Sequence, residues 1–221
     1  MCGGLAQAPR LVKPEARPAP RLFALVAGMP EQFNVRPMKQ IGIVRADGED
    51  LALAMARWWL TPRWSTAAKF PYSTFNARAE TVQTARAFRE SFKDRRAVVP
   101  LNGYFEWTEA DGLKVPHYIH HRDGRLLWAA ALWDRWERDG ADPLESCTVI
   151  VQAAHGAAAD VHDRMPAFVP DALIAEWING APANAARMLA TMETPPLAHY
   201  PVSPRVNSAR SEGADLIEPA S

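Results

Sequence analysis

Three turn dipeptides, Asp47-Gly48, Asn102-Gly103 and Asp123-Gly124, cut the middle of this chain into apolar runs too short for long helices. "QIGIVRADGEDLALAMARWWL" predicts two strands joined at Asp47-Gly48. "AVVPLNGYFEW" has strand character around Asn102-Gly103, and "HYIHHRDGRLLWAAALW" predicts a second hairpin turning at Asp123-Gly124. "SCTVIVQA" is β-branched and reads as a buried strand. Helical spacing is confined to short segments. From Thr81, "TVQTARAFRESFKDRR" sets Phe88 and Phe92 four apart on one face. "DALIAEWING" carries Leu173, Ile174, Trp177 and Ile178 at helical spacing with Gly180 as C-cap, and "NAARMLATME" continues as another helix. Residues 8–20 hold four prolines and exclude a continuous helix, leaving an irregular arm after a short first strand. No linker divides the chain. The expected architecture is one α+β domain over 2–219, a strongly bent, barrel-like antiparallel sheet flanked by helices.

Lys plus Arg number 25 and Asp plus Glu 25, so the net charge is zero with His neutral. Zero net charge excludes a general electrostatic grip on nucleic acid, and any such binding needs a local basic patch. The N-terminus lacks a basic start followed by an apolar run, and no stretch approaches the roughly 18 apolar residues of a membrane helix. With two cysteines far apart, Cys2 and Cys147, a reducing, cytoplasmic setting without a disulfide is expected. "HYIHH" places His117 and His121 on one strand face and His120 on the other, and reads as a solvated strand edge rather than a zinc site. No metal and no cofactor are expected, and the protein is expected to be a monomer.

The chain begins "MCGGLAQ". Removal of Met1 exposes an α-amine and a thiol on one residue, Cys2, a 1,2-aminothiol that no internal cysteine can supply. Three polar clusters interrupt apolar context: Asn76, Arg78 and Glu80 in "FNARAET", Glu106 in "NGYFEW", and His162, Asp163 and Arg164 in "DVHDRMP". Each has a plain structural account, as a helix cap at Asn76, a solvent-facing strand residue at Glu106 and a polar network at His162. Together with Cys2 they form a set able to handle a carbonyl, with a nucleophile, proton carriers and an orienting amide. Aromatic rings on either side of Glu106 would partly desolvate it and raise its pKa.

Cys2, "FNVRP" at 33–37, "RWWLTPRW" at 57–64, "NARAET" at 76–81, "RRAVVPLNGYFEW" at 95–107, "VHDRMP" at 161–166 and "VSPRVN" at 202–207 follow one another in order. In this the chain resembles the SOS-response-associated peptidase (SRAP) family, whose members act on abasic sites in single-stranded DNA. The resemblance implies that Cys2 crosslinks to the ring-opened sugar as a thiazolidine. It implies that Asn76 orients the nucleophile or the sugar, and that Glu106 and His162 serve ring opening and proton transfer. It further implies that Arg78 and Arg164 lie on the DNA side, Arg78 holding a backbone phosphate, and that Trp64 stacks on or wedges beside bases. Two other functions use the same residues: a cysteine peptidase acting through Cys2, and a binding module for single strands in which Cys2 is inert. The family usually carries Arg where this chain has Gly4. Gly4 therefore reads either as one lost phosphate contact, which Gly4→Arg would restore, or as a glycine that the backbone needs.

Overall fold

The computed structural model describes residues 3–110 and 112–220. Cys2 lies outside them. β1 (Leu5–Gln7) is followed by two 3-10 turns at Pro9–Leu11 and Pro14–Ala16, the irregular arm its prolines require, and by α1 (Pro20–Val26). Then come β2 (Gln32–Val35), β3 (Gln40–Asp47), β4 (Asp50–Trp58), β5 (Asn76–Arg78), α2 (Arg89–Asp94), β6 (Arg96–Leu101), β7 (Gly103–Ala110), β8 (Leu113–His121), β9 (Leu127–Trp136) and β10 (Leu144–Ala153). β11 (Arg164–Pro166), α3 (Ile174–Asn179), α4 (Pro182–Thr191) and β12 (Leu197–Pro201) complete the chain, with a 3-10 helix at Pro204–Asn207.

Pairings β3–β4, β4–β10, β10–β9, β9–β6 and β6–β3 close a five-stranded ring. The ring is antiparallel except where β10 runs parallel to β4, and β5 extends that parallel pairing along β10. A second sheet runs in the order β12-β8-β7-β1-β2. Alternation along the ring strands sends Ile41, Ile43, Ala97, Val99, Ala129, Ala131, Val149 and Val151 into one core, which also takes Leu5, Tyr104 and Ile119 from the second sheet. The opposite faces, with Val44, Val98, Ala130 and Ile150, pack against Trp177 and Ile178 of α3 and Ala185 of α4. Gln7, fully buried, joins the sheets: its amide donates to Gly42 O and Pro100 O at 2.9 Å each and accepts from Gly42 N at 2.9 Å. No buried polar atom of that side chain is wasted.

The Asp47-Gly48 turn is a hairpin as expected, with Asp47 opposite Asp50 and Gly48 at φ 61°. The Asp123-Gly124 turn is not. Gly124 takes φ 68°, but β8 pairs with β7 and β12 in one sheet while β9 pairs with β6 and β10 in the other. A turn dipeptide reverses the chain locally and does not choose the neighbour. The hairpin that β8 does form is with β7, closing at Ala110 opposite Leu113. From Thr81 the chain makes turns, and helix begins only at Arg89, where Phe92 packs edge-to-face on Trp177. Gly180 ends α3 as expected but in extended conformation. Glycine is required there because a Cβ would stand 2.4 Å from Glu176 O.

Candidate active site

β7 places the site. Successive residues alternate across the sheet, so Tyr104, Glu106 and Thr108 share the inward face while Phe105 and Trp107 take the other. Glu106 is only 2 % exposed. It lines a cavity of about 230 Å³ together with Trp107, Thr108, Glu109, Lys114 and His162. Burial, opposed in part by the charge of the chain's amino terminus, raises its carboxyl to about 7. The desolvation expected from its aromatic neighbours comes instead from position: Glu106 points inward and the rings flank it outside.

His162 enters the same cavity from the segment before β11, where Val161 is anchored in the shared core. Its Nδ1 accepts from Arg164 N at 2.9 Å and lies 2.8 Å from Asp163 Oδ1. Burial first, then nearby positive charge, lowers its pKa against the pull of Asp163. The ring is therefore neutral near pH 7. With Nδ1 accepting, its proton sits on Nε2. The carboxylate contact becomes an ion pair only on protonation.

Asn76 and Arg78 lie on β5 in register with Val149 and Val151, whose side chains face the shared core, so both project on that side while Ala77 packs behind. Asn76 is a strand residue rather than a helix cap. Arg164 bonds Glu80 at 2.5 Å. Burial works to raise the Glu80 carboxyl, but a backbone hydrogen bond, the Arg164 bond and the charges of Arg164 and Arg78 outweigh it and lower the pKa. Arg78, Glu80 and Arg164 thus form one charged group.

The "HYIHH" histidines are not a solvated edge. β8 lies between β7 and β12, so His117 and His121 are buried and His120 stacks on Tyr118. His117, directly opposite Glu106, bonds Thr108 Oγ1 through Nε2 at 3.0 Å and meets His199 Nδ1 through Nδ1 at 3.2 Å. Among the described residues no group of His, Cys, Asp and Glu is arranged to hold a metal ion. Cys147 is a buried free thiol whose pKa burial raises. Among the described residues no helix is long and apolar enough to cross a membrane.

Trp64 stands apart, on the loop after β4. It packs edge-to-face on Phe70, Arg86 lies over its ring at 4.5 Å, and a groove of about 660 Å³ runs past Trp64, Phe70, Tyr72, Arg86 and Phe88. Tyr72 is 71 % exposed. Tyr72 and Arg86 escape a sequence reading because neither lies in a recognisable motif; only the aromatic density of "KFPYSTF" hints at them.

The backbone just after Cys2 is held firmly. Gly4 O accepts from Phe105 N at 2.9 Å, Leu5 pairs with Tyr104 and Val35, and Arg36 Nη1 donates to Gly3 O at 3.3 Å. Arg36 also bonds Val206 O and lies 5.1 Å from the ring of Trp107, whose Nε1 donates to Asn207 Oδ1 at 2.7 Å. Asn34 donates to Val206 O, Ser208 O and Ser211 O. The motifs "FNVRP" and "VSPRVN" are thus two sides of one joint.

Solved structures share this fold. A protein from Bacteroides thetaiotaomicron superimposes with a TM-score of 0.78 at 23 % identity, covering 100 % of this chain and 99 % of its own. One from Bordetella bronchiseptica gives 0.76 at 21 %, covering 91 % and 100 %. By sequence, the abasic site processing protein YoqW of Bacillus subtilis is 32 % identical over 190 residues, 84 % of this chain and 85 % of that one. YedK of Escherichia coli, also named an abasic site processing protein, is 28 % identical over 193 residues, covering 85 % and 84 %. The model of the SOS response associated peptidase family matches residues 1–209. With that match over most of its length, the chain belongs to the SOS response associated peptidase (SRAP) family.

Proposed function

We propose that this protein captures abasic sites in single-stranded DNA by a covalent bond through Cys2, shielding the lesion. The observation that carries the reading is the shared cavity of Glu106 and His162, on the strand whose Phe105 N–H anchors the carbonyl of Gly4. That cavity offers a carboxyl near 7 and a neutral imidazole, a pair suited to moving protons around neutral pH.

The α-amine of mature Cys2 attacks the aldehyde carbon C1′ of the ring-opened sugar, and loss of water leaves an imine. The thiolate then adds to the imine carbon, the imine nitrogen takes a proton, and a thiazolidine ring closes. One aldehyde and one aminothiol give one thiazolidine and one water. Both groups ionise near neutrality, the amine at roughly 8 and the thiol at roughly 8.5. Protonated Glu106 assists opening of the sugar ring and departure of water, neutral His162 relays protons, and Asn76 orients the sugar or the nucleophile. Arg78 and Arg164 face the backbone phosphates, and Trp64 with Tyr72 offers faces on which bases stack.

The test is denaturing electrophoresis after mixing the protein with an oligonucleotide bearing one abasic site. A denaturation-resistant adduct that Cys2→Ala abolishes supports capture. A cleaved peptide without an adduct would instead assign the peptidase chemistry that the family's name records. Equal, reversible binding of damaged and undamaged strands would leave only a binding module.

A further inference from the structure

Gly4 is buried, and a Cβ built on it would stand 3.2 Å from Arg36 Nη1, 3.4 Å from Arg36 Cζ and 3.3 Å from Phe105 Cδ2. Its φ lies outside the left-handed region, so the backbone itself does not demand glycine. What crowds the position, beside the ring of Phe105, is the guanidinium of Arg36. That group spans the Gly3 carbonyl on one side and the Val206 carbonyl on the other, with the Trp107 ring 5.1 Å away. A planar fork with several donors suits such a span, and a lysine ammonium reproduces it only in part.

We propose that Arg36 is the positioning residue of this site: it occupies the space a side chain at position 4 would fill and clamps the Gly3-Gly4 backbone against β7. Gly4 and Arg36 then form a matched pair, a missing side chain at one position making room for a long one at the other. Arg36 acts through the backbone adjoining Cys2 rather than on DNA. The inference rests on the capture chemistry proposed above, but the clamp itself can be read without DNA.

Three measurements on Arg36→Ala and Arg36→Lys test it. The first is the single-turnover rate of adduct formation at saturating abasic oligonucleotide. Loss of the clamp should slow Arg36→Ala by about a hundredfold, the scale of a misplaced reacting group. Arg36→Lys should fall between Arg36→Ala and the native chain. The second is the salt dependence of binding to an undamaged strand, expected unchanged, whereas a lost phosphate ligand would lower the slope by about one. The third is amide hydrogen exchange at Phe105, whose N–H holds Gly4 O, and which should accelerate in Arg36→Ala.

A native rate and native exchange in Arg36→Ala would overturn the proposal. So would a slope reduced by about one with the saturated rate intact. Should the native protein form no adduct, the capture reading fails, and exchange at Phe105 alone decides the clamp. Should Arg36→Ala fail to fold in a thermal melt, Arg36→Lys decides: exchange and rate both equal to native would overturn the clamp.

Discussion

Glu106 and His162 share one cavity, and burial shifts their protons in opposite directions, raising the carboxyl to about 7 and lowering the imidazole. Near neutral pH the acid of the pair thus keeps part of its proton while the base has lost its own. Ordinary values would leave the carboxyl ionised and the imidazole only partly protonated.

The pair predicts a pH dependence with a definite sign. The ratio of the native rate of adduct formation to that of Glu106→Gln should fall as pH rises through about 7, where Glu106 loses its proton. Taking the ratio cancels the opposing gain from deprotonating the amine. Because its folded pKa is raised, Glu106 contributes stability in full below the ordinary carboxylate value, and that contribution is lost as pH rises through about 7. His162, depressed, contributes above the ordinary imidazole value and loses it as pH falls through its folded pKa. Melting temperatures of Glu106→Gln relative to native should therefore climb between pH 5 and pH 8. A flat difference would contradict a raised carboxyl.

His162→Ala should slow adduct formation by about 10²–10⁴, the usual range for a lost proton carrier, with little change in binding to undamaged strands. Single-turnover kinetics and a binding isotherm on one oligonucleotide separate the two. Weakened binding at an unchanged rate would make His162 a groove residue.

Gly4→Arg, read from sequence as the restoration of a phosphate contact, now carries a steric expectation. Its Cβ meets Arg36 and Phe105 at 3.2 and 3.3 Å, so the substitution should cost about 1–3 kcal/mol in a denaturant melt. Adding Arg36→Ala should recover part of that loss. An unperturbed melt with a steeper salt slope would restore the phosphate account.

Asp134 is buried, pairs with buried Arg95 at 3.1 Å, and accepts from Arg63 N and Nε at 2.9 and 3.0 Å. Asp134→Ala should cost about 3 kcal/mol, since it leaves the buried guanidinium of Arg95 with only the exposed carboxylate of Asp94. It should also loosen the loop that carries Trp64 and weaken single-strand binding in parallel. Comparison with Trp64→Ala, expected to lose about 1–3 kcal/mol of stacking with stability nearly intact, separates the two effects.

Much of this molecule is legible in its sequence where the determinant is local. The Asp47-Gly48 hairpin, the alternation of His117, His120 and His121, and a helix within "NAARMLATME" follow from residues within a few positions of one another. What escapes is pairing at a distance. The Asp123-Gly124 turn looks like that of Asp47-Gly48, yet it feeds β9 into another sheet, where Ala129 and Ala131 face the inside of the ring. Phe88 and Phe92 suggest a longer helix than the chain forms, because that segment is spent in turns leading from β5 to α2. Glu106 is conspicuous between aromatics, but its burial depends on which face of β7 meets the core, and no local pattern fixes that. Arg36 sits inside a visible motif, but its partner Val206 lies 170 residues away.

The joint between "FNVRP" and "VSPRVN" has a consequence in time. Arg36, Asn34 and Trp107 all close on backbone or side chain between Val206 and Ser211, residues made long after the segment they brace. Cys2 is synthesised first, and an aminothiol is indiscriminate toward aldehydes. The frame proposed to aim Cys2 is complete only once these later residues are made, so a chain cut short before Val206 would carry the aminothiol without its frame.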